Sequence, residues 1–321
     1  MAFAQRTRFT QRMLRNALRL RDWRYGRALT AAGLSPCGLS VAGDALRVHE
    51  LGISISRDNS SIIPMIPDAL LLKRKLGIQF FNAADGVIAV SDDFKLRIDS
   101  GEEVFILREI LWDGIYDFGM PAKDIVVWDI GMNVGIASLY FATRSFVRAV
   151  LGFEPFQPTF NSAKRNLALN PRLALKIKPQ NCGIAGRAHA AQAEYLSTWR
   201  GSVGVGGIRK DVLDRVRLGG DRITVEGVEL LAADCVLRSI LKEYPGCSVV
   251  AKIDCEGSEY EIIRCLHENR LLGELSAVML EWHQHGPREL EQTLQDAGFA
   301  TYSRSPYGEI GMICAAHLRD S

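Results

Sequence analysis

A strand that runs directly into a glycine turn and then a helix constrains this chain more than any other stretch. The run Asp129-Ile-Gly131-Met-Asn133-Val-Gly135 lies between two apolar segments. Glycine permits a tight turn, so backbone N–H groups and a helix N-terminus can approach a bound molecule closely. The stretch therefore predicts a buried strand, a turn and a helix, with a ligand site at the turn.

The acids around this turn indicate the kind of ligand. Glu154 ends the next apolar run, nineteen residues after Gly135, where an acid is placed to hold ribose hydroxyls. The turn reads G-x-N-x-G, not the dinucleotide pattern G-x-G-x-x-G, and Asp129 would repel a pyrophosphate. S-adenosylmethionine (SAM) carries sulfonium and ammonium groups and no phosphate. The electrostatics therefore favour SAM over NAD as the cofactor.

The charge is distributed unevenly along the chain. Residues 1–27 hold eight arginines and one acid, a net charge of +7, whereas the whole chain carries +2, so the remainder carries −5. Residues 8–29 predict a basic amphipathic helix. Residues 1–30 are candidates for a peripheral membrane contact or a protein contact, and a transit peptide or a helix packed on the body are the other interpretations. The small overall charge does not require a nucleic-acid partner.

The cysteines point to a reducing compartment. The chain has seven, without the spacing of a zinc site or a disulfide framework, which favours free thiols and a cytoplasmic location. No uncharged apolar run reaches the roughly 18 residues of a membrane-spanning helix. The N-terminus lacks the apolar core of a signal peptide.

Beyond residue 124, predicted strands and helices alternate. This alternation indicates a mostly parallel sheet with helices on both faces and ligands outside the carboxyl ends of its strands. The predicted strands are 125–129, 149–154, 174–178, 248–254 and 277–282, and the predicted helices are 135–145, 157–169, 257–271 and 287–297. The tail 299–316 predicts a closing pair of strands.

The residues upstream predict a different organisation. Short strands at 78–81, 86–90 and 94–98 and a helix over 102–112 are expected to cover the sheet edge or the cofactor. Residues 31–75 mix glycine, serine, proline and short apolar runs, which is typical of a linker or irregular cap. We therefore predict an N-terminal arm with linker or cap over 1–75, and one domain over 76–321.

A second cluster of charge follows the strand predicted at 248–254. Lys252, Asp254, Glu256 and Glu259 lie within eight residues. Charges are costly to bury unless they are paired or bound to a ligand. A Lys252–acid pair is the structural explanation. The functional one places Asp254 or Glu256 near the sulfonium or the methyl acceptor.

Three separated motifs resemble those of the FkbM family of SAM-dependent methyltransferases. That family reads roughly D-I-G-A-N-x-G, then F-E-P followed by N-x-x-x-N, then K-I-D-V-E-G-A-E. The matching stretches are Asp129 to Gly135, Phe153-Glu154-Pro155 with Asn166 and Asn170, and Lys252 to Glu259. The departures are Met132, Cys255 and Ser258, small or apolar exchanges that remove no cofactor-binding group.

The resemblance spans about 100–316 and implies an α/β fold. The expected architecture is a Rossmann-like class I methyltransferase with a mostly parallel seven-stranded sheet, preceded by an N-terminal extension. It implies SAM as the methyl donor. It leaves the acceptor open, because the family modifies varied hydroxyls on polyketides, sugars and related natural products.

The resemblance also implies roles for individual residues. The glycine turn would lie under the methionine moiety, Asp129 would approach its ammonium, and Glu154 would hold the ribose. Pro155 and Phe156 would flank the adenine, and Cys182 and Gly183 would lie at its edge. The residues assigned to cofactor binding are Asp129, Gly131, Asn133, Gly135, Glu154, Pro155, Phe156, Cys182 and Gly183.

Methyl transfer needs alignment and desolvation of donor and acceptor, and an alcohol acceptor also needs proton removal. The candidate bases are Asp254, Glu256, Glu281, His283 and His285, of which Asp254, Glu256 and His283 are assigned to catalysis. His283 and His285 could bind a divalent metal together with an acid. Because no carboxylate partner is defined in the sequence, no metal is predicted.

The leading hypothesis is O-methylation of a hydroxyl on a small molecule, sugar or natural product, so the expected partner is a small-molecule or glycan acceptor. A nucleic-acid methyltransferase is the first alternative, disfavoured because aromatic and basic residues are not interleaved on the body. A non-catalytic membrane-binding or partner-binding protein that keeps the fold is the second. The glycine-rich residues 201–207 are either a loop over the acceptor site or a simple turn.

Overall fold

The structure is a computed structural model of the 321-residue chain. It describes residues 2–57, 59–84, 86–117, 124–197, 199–208, 223–283, 285–305 and 310–317. The chain divides into two compact units, Met1–Asp113 and Gly114–Ser321.

The first unit combines helices with two three-stranded antiparallel sheets. Its helices are α1 (Ala2–Leu20), α2 (Trp23–Ala31), α3 (Ile66–Leu76) and α4 (Gly101–Leu111). One sheet contains β1 (Leu39–Ala42), β2 (Ala45–Val48) and β3 (Ile53–Ile55), and the other contains β4 (Gln79–Ala83), β5 (Gly86–Val90) and β6 (Lys95–Ile98). Residues 31–75 are therefore not an irregular linker.

The basic N-terminal segment forms two helices where the sequence predicts one. Arg21 adopts a left-handed φ of 53°, and the side chain of Asp22 caps α2 by accepting hydrogen bonds from the backbone N–H groups of Arg24 and Tyr25. Gly26 lets the two helices approach closely, because a Cβ there would lie 2.5 Å from the nitrogen of Ala17. The reversal of the chain at Arg21 therefore buries one side of α1.

The other side of α1 stays open to solvent. Phe9, Leu14 and Leu18 are exposed beside the arginines. The membrane-contact and protein-contact hypotheses both need such an exposed apolar and basic surface. Within the described residues, no helix combines the length and the apolar character needed to cross a bilayer.

The compact units do not divide at residue 75. Asn82 on β4 exchanges two hydrogen bonds with the backbone of Ser54 on β3, at 2.8 and 2.6 Å. Helix α4 begins at Gly101 directly against Ser61, since a Cβ at Gly101 would lie 2.3 Å from the Ser61 carbonyl oxygen. These contacts join residues 76–113 to the N-terminal residues, so the first unit ends at Asp113.

The second unit is larger and alternates strands with helices. Its strands are β7 (Ile125–Ile130), β8 (Val147–Phe153), β9 (Ile177–Gln180), β10 (Gly183–Ala185), β11 (His189–Tyr195), β12 (Val203–Gly204), β13 (Gly207–Ile208), β14 (Thr224–Ala232), β15 (Ser248–Ile253), β16 (Leu275–His283), β17 (Phe299–Arg304) and β18 (Ile310–His317). Its helices are α5 (Ile136–Thr143), α6 (Gln157–Ala168), α7 (Pro171–Ala174), α8 (Ala233–Glu243), α9 (Glu259–Glu268) and α10 (Arg288–Asp296).

Seven of these strands form the central sheet in the order β17-β18-β16-β15-β7-β8-β9. The five strands from β16 to β9 pair in parallel, and the closing pair β17 and β18 is antiparallel. Buried side chains of β7, β15 and β16 join those of α8, α9 and α10 in one apolar core. The predicted mostly parallel, seven-stranded Rossmann-like fold is confirmed.

The region between β9 and α8 forms a second sheet that the sequence did not predict. Strand β14 pairs in parallel with β10 and antiparallel with β11. Buried residues of β11 and β14 pack in a small apolar cluster with Phe156, whose ring centroid lies 5.2 Å from that of Tyr195. This sheet therefore supports the loop that follows β8.

A buried ion pair joins the two middle strands of the central sheet. Lys252 on β15 lies opposite Asp129 on β7, with its Nζ 3.2 Å from Asp129 Oδ1 and both side chains at most 3% exposed. Nζ donates to the Gly131 carbonyl at 2.6 Å and lies 3.5 Å from Asp254 Oδ2. Burial by itself lowers the pKa of Lys252, but Asp129 and Asp254 raise it above its ordinary value, so the ammonium stays charged.

Lys252→Met is expected to destabilise the protein by about 3–5 kcal/mol, because it leaves a buried carboxylate without its partner. Lys178→Met is the matched control. Lys178 pairs with Glu243 at the surface, where both side chains are about half exposed, and its loss is expected to change stability little. Urea unfolding followed by circular dichroism measures both changes. Equal effects of the two substitutions would contradict this role of Lys252.

Candidate active site

The carboxyl ends of β7, β8 and β15 open into a cleft in the second unit. Its empty volume, including the part open to solvent, is about 530 Å³. The lining comes from strand ends, the turns that follow them, and a segment near residue 200: Ile130, Gly131, Asn133, Phe153, Glu154, Pro155, Phe156, Gly183, Ile184, Arg200, Gly201, Val203, Gly204, Val205, Leu230, Asp254, Cys255, Glu256 and Ser258. This is where an open α/β sheet binds its ligands.

The glycine turn packs backbone against backbone. Gly131 has a φ of 79°, and a Cβ there would lie 1.7 Å from the carbonyl oxygen of Asp254. The N–H groups of Gly131 and Met132 both donate to the Phe153 carbonyl, at 3.1 and 2.9 Å. Only glycine permits this approach, so the first motif is held against the last residue of β8 and the first residue after β15.

Asn133 continues the turn in the left-handed region, with a φ of 51°. Its N–H donates to Glu154 Oε2 at 3.0 Å. The carbonyl of the next residue, Val134, accepts a hydrogen bond at 2.9 Å from Asn166 Nδ2, and Asn170 Nδ2 donates to the Asn166 carbonyl at 2.8 Å. The paired asparagines of the second motif therefore fix the turn from α6.

Glu154 is held at the cleft wall by backbone groups. Its Oε1 accepts the N–H of Phe156 at 3.0 Å, in addition to the bond from Asn133 to Oε2. Burial raises the pKa of Glu154 to about 7, although both backbone N–H groups act to lower it. Asn181 Nδ2 donates to the carbonyls of Glu154 and Pro155, at 2.9 and 3.2 Å. The carboxylate therefore has a fixed orientation.

Not every residue assigned to the cofactor reaches the cleft. Of the nine residues assigned to the cofactor, six line the cleft: Gly131, Asn133, Glu154, Pro155, Phe156 and Gly183. Gly183 packs closely on the neighbouring wall residue Leu230, because a Cβ at 183 would lie 2.5 Å from Leu230 Cδ2.

Asp129, Gly135 and Cys182 lie behind the cleft wall. Asp129 is fully buried by Lys252 and by Ser138, whose Oγ donates to Oδ2 at 2.5 Å. The structure therefore does not bring it to a cationic ligand as the sequence predicted. Gly135 has a φ of 88° and begins α5, and Cys182 belongs to the apolar core.

The third motif supplies two carboxylates to the cleft, Asp254 and Glu256. Glu256 has a left-handed φ of 54°, which is uncommon for a residue with a side chain. Gly204 packs directly on it, because a Cβ at Gly204 would lie 2.2 Å from the Glu256 carbonyl oxygen. The glycine-rich segment forms the short hairpin β12–β13 and contributes to the cleft wall, so both interpretations of residues 201–207 stay predictions.

His283 lies behind these carboxylates at the end of β16 and is 1% exposed. Glu259 Oε1 accepts its backbone N–H at 2.7 Å and lies 3.2 Å from its Nδ1. Its Nε2 lies 3.5 Å from Glu256 Oε2 and 3.8 Å from Glu281 Oε1. Burial by itself lowers the pKa of His283, but these carboxylates raise it to about 10. The protonated ring lacks the lone pair that a base needs.

Several lining residues were missed by sequence reasoning. Arg200 precedes the glycine-rich segment, and its Nη1 donates to Ser162 Oγ at 2.8 Å. Leu230 lies on β14, where alternate residues such as Val228 and Leu230 are buried. That alternation was the available signal for a strand.

Comparison with known proteins identifies the family. Residues 129–300 match the family model described as the methyltransferase FkbM domain. The match covers more than half of the chain, and the chain belongs to the FkbM methyltransferase family. It is a SAM-dependent methyltransferase, as the three motifs predicted.

Two curated relatives and one solved structure give the extent of the similarity. Methyltransferase sdnD of Sordaria araneosa is 30% identical over 215 residues, covering 62% of this chain and 82% of that protein. Methyltransferase 1 of Beauveria bassiana is 30% identical over 109 residues, covering 33% of this chain and 43% of that protein. The structure of a methyltransferase FkbM from Methylobacillus flagellatus KT is 13% identical, with a TM-score of 0.38 over 62% of this chain and 44% of that one. The chain thus spans less than half of the last two.

The polar atoms and the glycines of the cleft wall are compatible with bound SAM. Asn133 Oδ1 is a buried acceptor with no hydrogen-bond partner among the described residues, and a ligand ammonium is a suitable donor for it. Each oxygen of Glu154 accepts one backbone N–H, and a carboxylate oxygen can accept a further hydrogen bond from a hydroxyl. Gly131 and Gly183 add no side chain to the wall.

Gly131→Ala is expected to destabilise the protein by at least about 1–2 kcal/mol, the cost of the left-handed backbone for a residue with a Cβ. The overlap with Asp254 adds to this cost, because the loop after β15 must move. Gly206→Ala is the control, since a Cβ at Gly206 meets nothing within 4 Å. Urea unfolding compares the two. Equal stability of both variants would show that the backbone contact does not exist.

Proposed function

We propose that this chain transfers the methyl group of SAM to a hydroxyl of a small molecule, a sugar or another natural product. The observation that carries the proposal is the presence of two carboxylates, those of Asp254 and Glu256, in the cleft wall. A carboxylate in this position can accept the proton that a hydroxyl loses when it is methylated.

We assign the cofactor contacts to the cleft-lining residues of the glycine turn and of the segment after β8. Glu154 holds the ribose hydroxyls, and the side-chain oxygen of Asn133 accepts from the ammonium. Pro155 and Phe156 flank the adenine. The glycines at 131 and 183 let the backbone approach the ligand. The family match lies wholly inside the second unit, which supports placing the reaction there.

SAM, when bound, supplies an electrophilic methyl group on its sulfonium. In the overall reaction an oxygen–carbon bond forms, the carbon–sulfur bond breaks with its electron pair left on sulfur, and the hydroxyl proton leaves. The protein aligns the acceptor oxygen, excludes water and accepts that proton. We assign the proton to Asp254 or Glu256, the carboxylates in the cleft wall. His283, protonated and behind Glu256, is a positioning residue.

Transfer of a labelled methyl group from SAM tests the acceptor class. The full chain is incubated with hydroxylated polyketides and sugars, and separately with RNA and DNA. Label is expected in the small-molecule pool, and Asp254→Asn or Glu256→Gln should reduce the rate at least about tenfold if either carboxylate accepts the proton. Label that appears only in nucleic acid would overturn the proposal.

The affinity for S-adenosylhomocysteine, the demethylated product of SAM, is expected to fall as the pH drops from about 8 to about 6. Over this range the Glu154 carboxyl, whose pKa is about 7, takes up a proton and loses an acceptor for the ribose. The loss is at most about tenfold per pH unit. Isothermal titration at each pH measures it.

Glu154→Gln separates this carboxyl from other titrating groups. Its affinity is expected to be lower than that of the parent chain at high pH and to vary less with pH. An identical pH profile in the two proteins would remove Glu154 from the ribose site.

A further inference from the structure

Three metal-binding side chains converge beside the cleft, where Asp254 forms part of the wall. Asp254 follows β15, and Glu281 and His283 lie on the neighbouring strand β16. One ligand atom from each lies within 4.8 Å of the other two. We propose that Asp254, Glu281 and His283 bind a divalent cation. The sequence predicted no metal because no carboxylate partner for His283 was defined, and the parallel pairing of β15 with β16 supplies two.

The histidine is oriented as a ligand. Glu259 Oε1 lies 3.2 Å from Nδ1 and also accepts the backbone N–H of His283, so it fixes the ring. Nε2 is thereby turned toward Glu281 and Glu256, and it makes no hydrogen bond to any described residue. A carboxylate on one ring nitrogen, with the other nitrogen facing a site, is the usual support of a histidine that binds a metal.

The two carboxylates can complete the site. The side chains of Asp254 and Glu281 are 29% and 28% exposed, so a cation from solvent can reach both. Two ligands of one cation at about 2.1 Å lie up to about 4.2 Å apart, so small rotations suffice. Two oxygens and one imidazole nitrogen suit Mg²⁺, Mn²⁺ or Fe²⁺.

The neighbours of His283 are also those of a metal ligand. The carboxylates of Glu256, Glu259 and Glu281 lie within 4 Å of its ring nitrogens. Binding of a divalent cation would displace the proton from Nε2, because that nitrogen coordinates a metal only through its lone pair.

The cation would hold the hydroxyl oxygen of the acceptor and ease the loss of its proton. Asp254 would then be a ligand, which leaves Glu256 to accept the proton. This role rests on the proposed function, whereas binding of the cation does not.

Binding of Mn²⁺ to the full chain, followed by electron paramagnetic resonance of the free ion, tests the site. We expect one Mn²⁺ per chain and at least tenfold weaker binding in Glu281→Gln and in Asp254→Asn. Glu274→Gln is the control, since it removes an exposed carboxylate upstream on the same chain segment. Titration with S-adenosylhomocysteine shows that each variant keeps its fold and its cofactor site.

Absence of Mn²⁺ binding in a chain that binds S-adenosylhomocysteine would overturn the proposal and leave a His283–Glu256 pair. Unchanged Mn²⁺ affinity in both variants would overturn it too, because the ion would then lie elsewhere. A chain that binds Mn²⁺ at these residues but never binds S-adenosylhomocysteine would retain the metal site and refute the proposed function. A folded chain that binds neither would refute both.

Discussion

The ammonium of Lys252 is the point on which the arrangement of the cleft depends. It contacts the Asp129 carboxylate, the Gly131 carbonyl and the Asp254 carboxylate, which come from the first and third motifs. Burying a charge is unfavourable unless it is well compensated, and here three partners compensate it. Because the pair spans two adjacent strands, it fixes the register in which the glycine turn meets the loop after β15. The backbone overlap that Gly131 avoids is a direct result of that register.

The three motifs divide their residues between contacting the cleft and supporting it. Gly131, Glu154 and Asp254 line the cleft, whereas Asp129, Asn166 and Lys252 act from behind. Glu154 shows the link between the two groups, because Asn133 and Phe156 orient it through their backbone N–H groups. The motifs of this chain therefore contain residues that orient the cleft wall as well as residues that form it.

Sequence periodicity was sufficient for the central sheet, since each buried strand is a continuous apolar run followed by a helix. It did not reveal the partner of a buried charge, because the register between distant strands decides that. Asp129 was therefore assigned to a ligand when Lys252 had already neutralised it. His283 was assigned as a base for the same reason, because two of its three carboxylate neighbours, Glu256 and Glu259, come from a distant segment. Residues 76–113 belong to the first unit through contacts such as those of Asn82 and Gly101. Such contacts between distant residues do not appear in the hydrophobic periodicity of the sequence.

The close approach of Gly204 to the Glu256 carbonyl limits how this cleft can evolve. A side chain at 204 would push a carboxylate out of place, so that position is closed to variation. The neighbours Val203 and Val205 also line the cleft. Val203 is a buried member of the small apolar cluster, whereas Val205 is only partly buried. Exchange at Val205 is therefore the change of cleft shape that disturbs the carboxylates least. One rigid contact thus separates the part of the cleft that is free to diversify from the part that is not.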